Sequence, residues 1–70
     1  MRRYTIILTP EDDAYLVGVP ALPNVHTYGR SVDEALANAQ EAIELYLEVL
    51  RDEGSPLPED IQTATVEVAA

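Results

Sequence analysis

The chain has no cysteine, no lysine, one histidine and three widely separated glycines. The lack of cysteine excludes disulfides and thiolate metal sites and leaves the redox compartment unmarked. With no lysine, four arginines face thirteen acidic side chains and the net charge is −9. Nucleic-acid backbones are held by cations, so a chain of this charge repels them as a whole. A basic protein would be attracted and steered. Gly18, Gly29 and Gly54 lie too far apart to form a phosphate-cradling loop. Apolar runs fall far short of the roughly 18 residues a membrane span needs. No basic, apolar leader with a cleavage site opens the chain. The expected location is the cytoplasm.

Catalytic groups are equally sparse. An activated nucleophile needs a base beside it. His26 is the only histidine, Ser31 is committed to a helix cap, and Ser55 lies in a proline-rich loop. Glu11-Asp12-Asp13 are consecutive, so their side chains diverge instead of converging on an ion. Arg2-Arg3-Tyr4 is too small a basic and aromatic patch for an RNA platform. The expectation is a chain that is not an enzyme, with no metal and no cofactor.

What is present is a clear pattern of elements. Arg2–Thr9 is β-branched and aromatic and reads as a strand, its run Ile6-Ile7-Leu8 suggesting a central position. Pro10–Asp13 reads as a turn. Ala14–Val19 is a second strand, close enough to form a hairpin with the first. Pro20–Asn24 is a rigid loop, and Val25–Tyr28 is a short third strand that ends at Gly29. Ser31-x-x-Glu34 has the spacing of a capping box, with the Ser31 hydroxyl accepting from Glu34 N–H and the Glu34 carboxylate reaching back to Ser31 N–H. A helix is predicted from about Val32 to Asp52. Val32, Ala35, Leu36, Ala39, Ala42, Ile43, Tyr46, Leu47 and Leu50 share one face. Leu45 and Val49 widen that apolar arc. Asp33, Glu41, Glu44, Glu48 and Asp52 line the opposite face, with Arg51 their only cation. Gly54 is the natural residue just past the helix end. Ile61–Val68 alternates and is β-branched, which reads as a last strand.

The fold class expected is α+β, a two-layer β-β-β-α-β unit forming one domain over residues 1–70. A right-handed crossover places strand 4 beside strand 1 in a four-stranded mixed sheet of order 3-2-1-4. One helix covers one face only, so the other must be polar, small or covered by a partner. A chain this short also tends to gain stability by self-association, and a homodimer or higher homo-oligomer is expected.

The ordered set of features resembles the HicB family of antitoxins. It runs from Tyr4–Leu8 through Ala14-Tyr15, Val19-Pro20, Leu22-Pro23 and Thr27-x-Gly29. It continues with Ser31-x-x-Glu34-Ala35, Ala39-x-x-Ala42-Ile43 and Pro56-Leu57-Pro58, and so covers nearly the whole chain. The resemblance implies a partial ribonuclease-H-like fold. It also implies a non-catalytic interaction role, the masking of a small basic HicA-type toxin that cleaves RNA. A nuclease of that fold needs a carboxylate on the first strand, and Tyr4–Leu8 has none. The family usually has Gly-Cys after Leu-Pro where this chain has Asn24-Val25. Many members continue into a DNA-binding segment; the sequence ends at Ala70, so no direct nucleic-acid contact is expected. On this reading Glu41, Glu44, Glu48 and Asp52, with His26 and Tyr28, are the candidate partner-binding residues. Gly29, Ser31, Glu34 and Gly54 are structural. The alternative is an orphan domain of the same fold that binds another protein or a small ligand.

Overall fold

A computed structural model describes residues 1–70. Three strands precede one helix: β1 (Ile7–Glu11), β2 (Ala14–Gly18), β3 (His26–Gly29) and α1 (Val32–Asp52). The strands form an antiparallel sheet in the order β1-β2-β3. The helix lies across one face, where Ala35 and Ala39 pack on Val17 of β2 with Ile6, Leu8 and Tyr15 around them. Small residues at 35 and 39 allow this close approach.

The first hairpin is tighter than the sequence suggests. Glu11 pairs with Ala14, so only Asp12-Asp13 forms the loop. Asp12 takes the left-handed conformation, φ 53°, which a short polar side chain tolerates. Pro10, expected in the turn, sits within β1 opposite Tyr15. By the alternation of an antiparallel ladder, the pairs at Glu11, Thr9 and Ile7 exchange hydrogen bonds with β2. The backbone of Leu8 and Pro10 then faces outward. Proline has no N–H to offer there, which is why an edge strand accepts it.

Two expectations about the sheet are overturned. β1 is an edge strand, and Ile7 points from it to the uncovered face, where it is exposed. The fourth strand is absent, and with it the order 3-2-1-4; residues 61–70 carry no regular structure and are exposed throughout. The chain does return to the side of the N-terminal segment. Pro58 O accepts hydrogen bonds from Tyr4 Oη and Arg2 Nη1. The Asp60 carboxylate then receives Thr5 N–H at 2.9 and 3.0 Å and Thr5 Oγ1 at 2.8 Å. A side chain thus takes the backbone donor that a ladder would use, and the strap ends in a clamp instead of a strand.

A second small core lies beneath the loop after β2. Val19, Leu22 and Val25 are buried against Tyr4, Ile6, Ala42, Ile43 and Tyr46. Successive turns hold these three residues inward, with Leu22 N–H bonded to Val19 O and Val25 N–H to Leu22 O, each at 2.9 Å. Leu22 is 1% exposed, and its burial contributes about 2 kcal/mol.

The helix begins and ends where the sequence places it. Ser31 is the N-cap, its Oγ accepting from Glu34 N–H at 3.1 Å. The return bond differs from expectation: Glu34 Oε1 accepts from Arg30 N–H at 2.9 Å, one residue before Ser31. At the other end Ser55 N–H reaches Leu50 O and Gly54 N–H reaches Arg51 O. This is the paired closure that a left-handed residue makes possible, and Gly54 supplies it with φ +72°.

Candidate partner-binding surface

The helix carries six carboxylates, Asp33, Glu34, Glu41, Glu44, Glu48 and Asp52, against the single cation Arg51. Asp33 and Glu34 lie in the first turn, where the helix dipole favours negative charge. The other four recur at intervals of three and four residues, which sets them along one stripe. All four are exposed. The buried Ala35, Ala39 and Leu47 hold the opposite side of the helix on the sheet and loop, so the stripe faces away from the domain. Like charges at such spacings repel by a few tenths of a kcal/mol per pair. A cationic surface docking there would relieve that repulsion.

Beside the stripe runs an apolar flank. Leu45 and Val49 are 57% and 51% exposed. They line a shallow groove together with Asn24, Val25, His26 and Tyr46, and Asn24 Nδ2 donates to Tyr46 Oη across it at 3.4 Å. His26 therefore joins the helix flank and shares a continuous surface with the acidic stripe. Tyr28 does not. It pairs with Leu16 on the face of the sheet that the helix leaves bare, and lines a depression with Leu16, Arg30 and the Glu11–Asp13 turn. The six candidate residues thus divide into a helix-side group of five and an isolated Tyr28.

A Cβ on Gly29 would lie 2.6 Å from Ala35 Cα and 2.8 Å from Glu34 C. Only a bare glycine lets β3 pass this close to the first helical turn. Asn38 Nδ2 donates to Tyr28 O at 2.8 Å. It ties the outer edge of β3 to the helix, a bond sequence reasoning missed. The available signal was an asparagine, a weak helix former, inside an otherwise strong helical run.

The clamp between Thr5 and Asp60 was also missed. Hydrogen bonds from the Thr5 backbone and then from its side chain hold the Asp60 carboxyl below its ordinary value. They do so because they favour the ionised form. No group of three or more His, Asp or Glu side chains is positioned to hold a metal. No helix is long and apolar enough to cross a membrane.

The family model described as the HicB-like antitoxin of bacterial toxin–antitoxin systems matches residues 4–69. The chain belongs to the HicB-like antitoxin family. It is 44% identical over 59 residues to a UPF0150 protein of Thermoplasma acidophilum, covering 83% of this chain and 86% of that protein. It is 46% identical over 52 residues to a UPF0150 protein of Archaeoglobus fulgidus, covering 74% and 75%. Among solved structures it is similar to the N-terminal domain of the antitoxin HicB from Burkholderia pseudomallei. The TM-score is 0.70 at 33% identity, over 86% of this chain and 69% of the other. The HicB-like family suggests a toxin–antitoxin role.

Proposed function

We propose that this chain is a non-catalytic interaction domain that neutralises a small, basic, RNA-cleaving toxin of the HicA type by masking its surface. The observation that carries the reading is the stripe Glu41, Glu44, Glu48 and Asp52, exposed on the helix and answered only by Arg51. A toxin that cleaves RNA must present cations to phosphate, and carboxylates can occupy the same cations. His26, Leu45 and Val49 extend the stripe into an apolar flank. That flank supplies the water-excluding contact a charged surface lacks, since exposed charge pairs contribute little by themselves. The reading places the protein in the cytoplasm as a homodimer, with a protein partner and no direct contact to nucleic acid.

The test is to identify a neighbouring reading frame that encodes a small basic protein and co-express the two, scored by growth. The intact chain relieves arrest by that neighbour. Replacing Glu41, Glu44 and Glu48 together by Gln removes three charges without crowding the helix. It weakens binding by about tenfold, at a few tenths to 1 kcal/mol per rim charge. The loss shrinks as salt is raised. Growth arrest that the intact chain leaves untouched rejects the reading, as does full relief by the triple variant at low salt.

A further inference from the structure

The last ten residues have the pattern of a strand and none of its pairing. Ile61–Val68 alternates, carries Thr63, Thr65, Val66 and Val68, and contains no proline. Val66 and Val68 are 86% and 79% exposed. The segment leaves the domain at the Asp60 clamp, beside Thr5 and just upstream of β1. β1 is itself an open edge, and the outward backbone of Leu8 has no partner strand. Each edge lacks one group, the N–H at Pro10 on β1 and the Tyr28 carbonyl on β3, which Asn38 already takes; β1 is the edge beside the tail, and β3 lies two strands away.

The chain leaves more surface uncovered than a compact domain of its size does. The chain exposes 5676 Å². A folded monomer of 7.7 kDa averages about 4,300 Å². The excess of roughly 1,300 Å² is larger than the roughly 800 Å² each partner contributes to a standard interface. The chain is also long for its size, with a radius of gyration of 14.0 Å against about 11 Å for a compact domain. Folding the tail onto its own β1 would leave the bare sheet face of Ile7, Leu16 and Tyr28 uncovered. A second copy can accept the tail and also supply cover.

We propose that Gln62–Val68 of one chain adds as a strand to the free β1 edge of a second copy, and that the exchange is reciprocal. The tail emerges next to the very edge it seeks, so a two-fold arrangement returns each tail to the other chain. Ala64, Val66 and Val68 share one side of an extended segment and give Ile7 the cross-strand apolar neighbours it lacks. The proposal deepens the dimeric state offered above and stands apart from the toxin, because its test uses this chain alone.

The experiment is mass determination in solution by light scattering and native mass spectrometry, on the intact chain and on Val66→Pro and Val66→Asp. Residue 66 touches no core, so both variants keep the helix signal in circular dichroism. The intact chain has twice the monomer mass. Val66→Pro removes an N–H and fixes φ, and it raises the dimer dissociation constant by about tenfold or more. Val66→Asp acts the same way by adding charge on charge, and added salt restores part of its affinity. A monomeric intact chain overturns the proposal, including one whose tail amides are protected from hydrogen exchange, since that tail has paired with its own β1. A dimer of unchanged affinity in Val66→Pro overturns it as well.

Discussion

The junction between β3 and α1 is where one added methyl group should do the most harm. Gly29→Ala places a carbon 2.6 Å from Ala35 Cα and 2.8 Å from Glu34 C. Ordinary carbon contacts lie near 3.5–4.0 Å, so strand and helix must separate by about 1 Å. These neighbours are backbone atoms, and no side-chain rotation can absorb the shift. The Ser31 Oγ to Glu34 N–H bond, 3.1 Å long, passes out of bonding range when the first turn moves that far. Loss of the cap costs about 1 kcal/mol. Displacing Ala35 from Val17 adds about 1–2 kcal/mol, typical of a core forced off its best fit. The sum is about 2–3 kcal/mol, in a domain whose size suggests only about 4–10 kcal/mol in total.

Gly18→Ala is the matched control, because a Cβ there meets nothing within 4 Å. It should be neutral or stabilise by up to about 1 kcal/mol through the unfolded chain. The assay is urea unfolding followed by helix ellipticity, both variants at one protein concentration. With a slope near 1 kcal/mol per molar urea for a chain this small, Gly29→Ala should lower the midpoint by about 2 M or more. Equal midpoints for the two variants would refute the close-approach argument. A shift confined to Gly18→Ala would do so too.

Two further outcomes follow from the helix end and the clamp. Gly54 has φ +72°, and an L side chain in the left-handed region costs about 1–2 kcal/mol; Gly54→Ala should lose that much in the same titration, and a loss below about 0.3 kcal/mol would contradict the assigned cap. The Asp60 carboxyl is held below its ordinary value of 3.8 by the Thr5 backbone bond first and the Thr5 hydroxyl second. A group with a lowered folded value stabilises above its unfolded value and loses that contribution as pH falls through the folded one. The Thr5 amide resonance should therefore titrate with a midpoint below 3.8, and Asp60→Asn should abolish the titration. A Thr5 midpoint at or above 3.8 would show that the clamp does not form.

The helix was legible almost residue for residue because its signals are local. Ser31 and Glu34 start it, the three-and-four spacing carries it, and Gly54 stops it, all within a few bonds of the residues concerned. The sheet was less legible because its decisive facts are long-range. Pro10 read as turn chemistry, but it belongs to an edge strand that needs no donor at that position, and whether a strand is an edge depends on what the remote end of the chain does. Leu22 lies in what reads as a proline-bounded loop. It becomes the most enclosed large side chain only because Ala42, Ile43 and Tyr46 arrive above it. The fourth strand is absent for a related reason. Ile61–Val68 has the composition of a strand, but composition does not supply the neighbouring strand it needs.

The candidate surface divides along the same line. The acidic stripe was visible as helical spacing, whereas the separation of Tyr28 from His26 runs against the pleat. Neighbours two apart on a strand share a face, yet only His26 lies where β3 meets the helix flank. This division assigns different physics to the two associations proposed. Docking of a cation-rich protein on Glu41, Glu44, Glu48 and Asp52 is attractive in charge and weakens with salt. Pairing of two chains that each carry −9 is repulsive in charge, is driven by backbone bonds and apolar area, and strengthens with salt. Salt should therefore move the two equilibria in opposite directions in a single mixture. Self-association that weakens with salt in step with toxin binding would mean that one charged surface serves both, and the tail would then have no part in either.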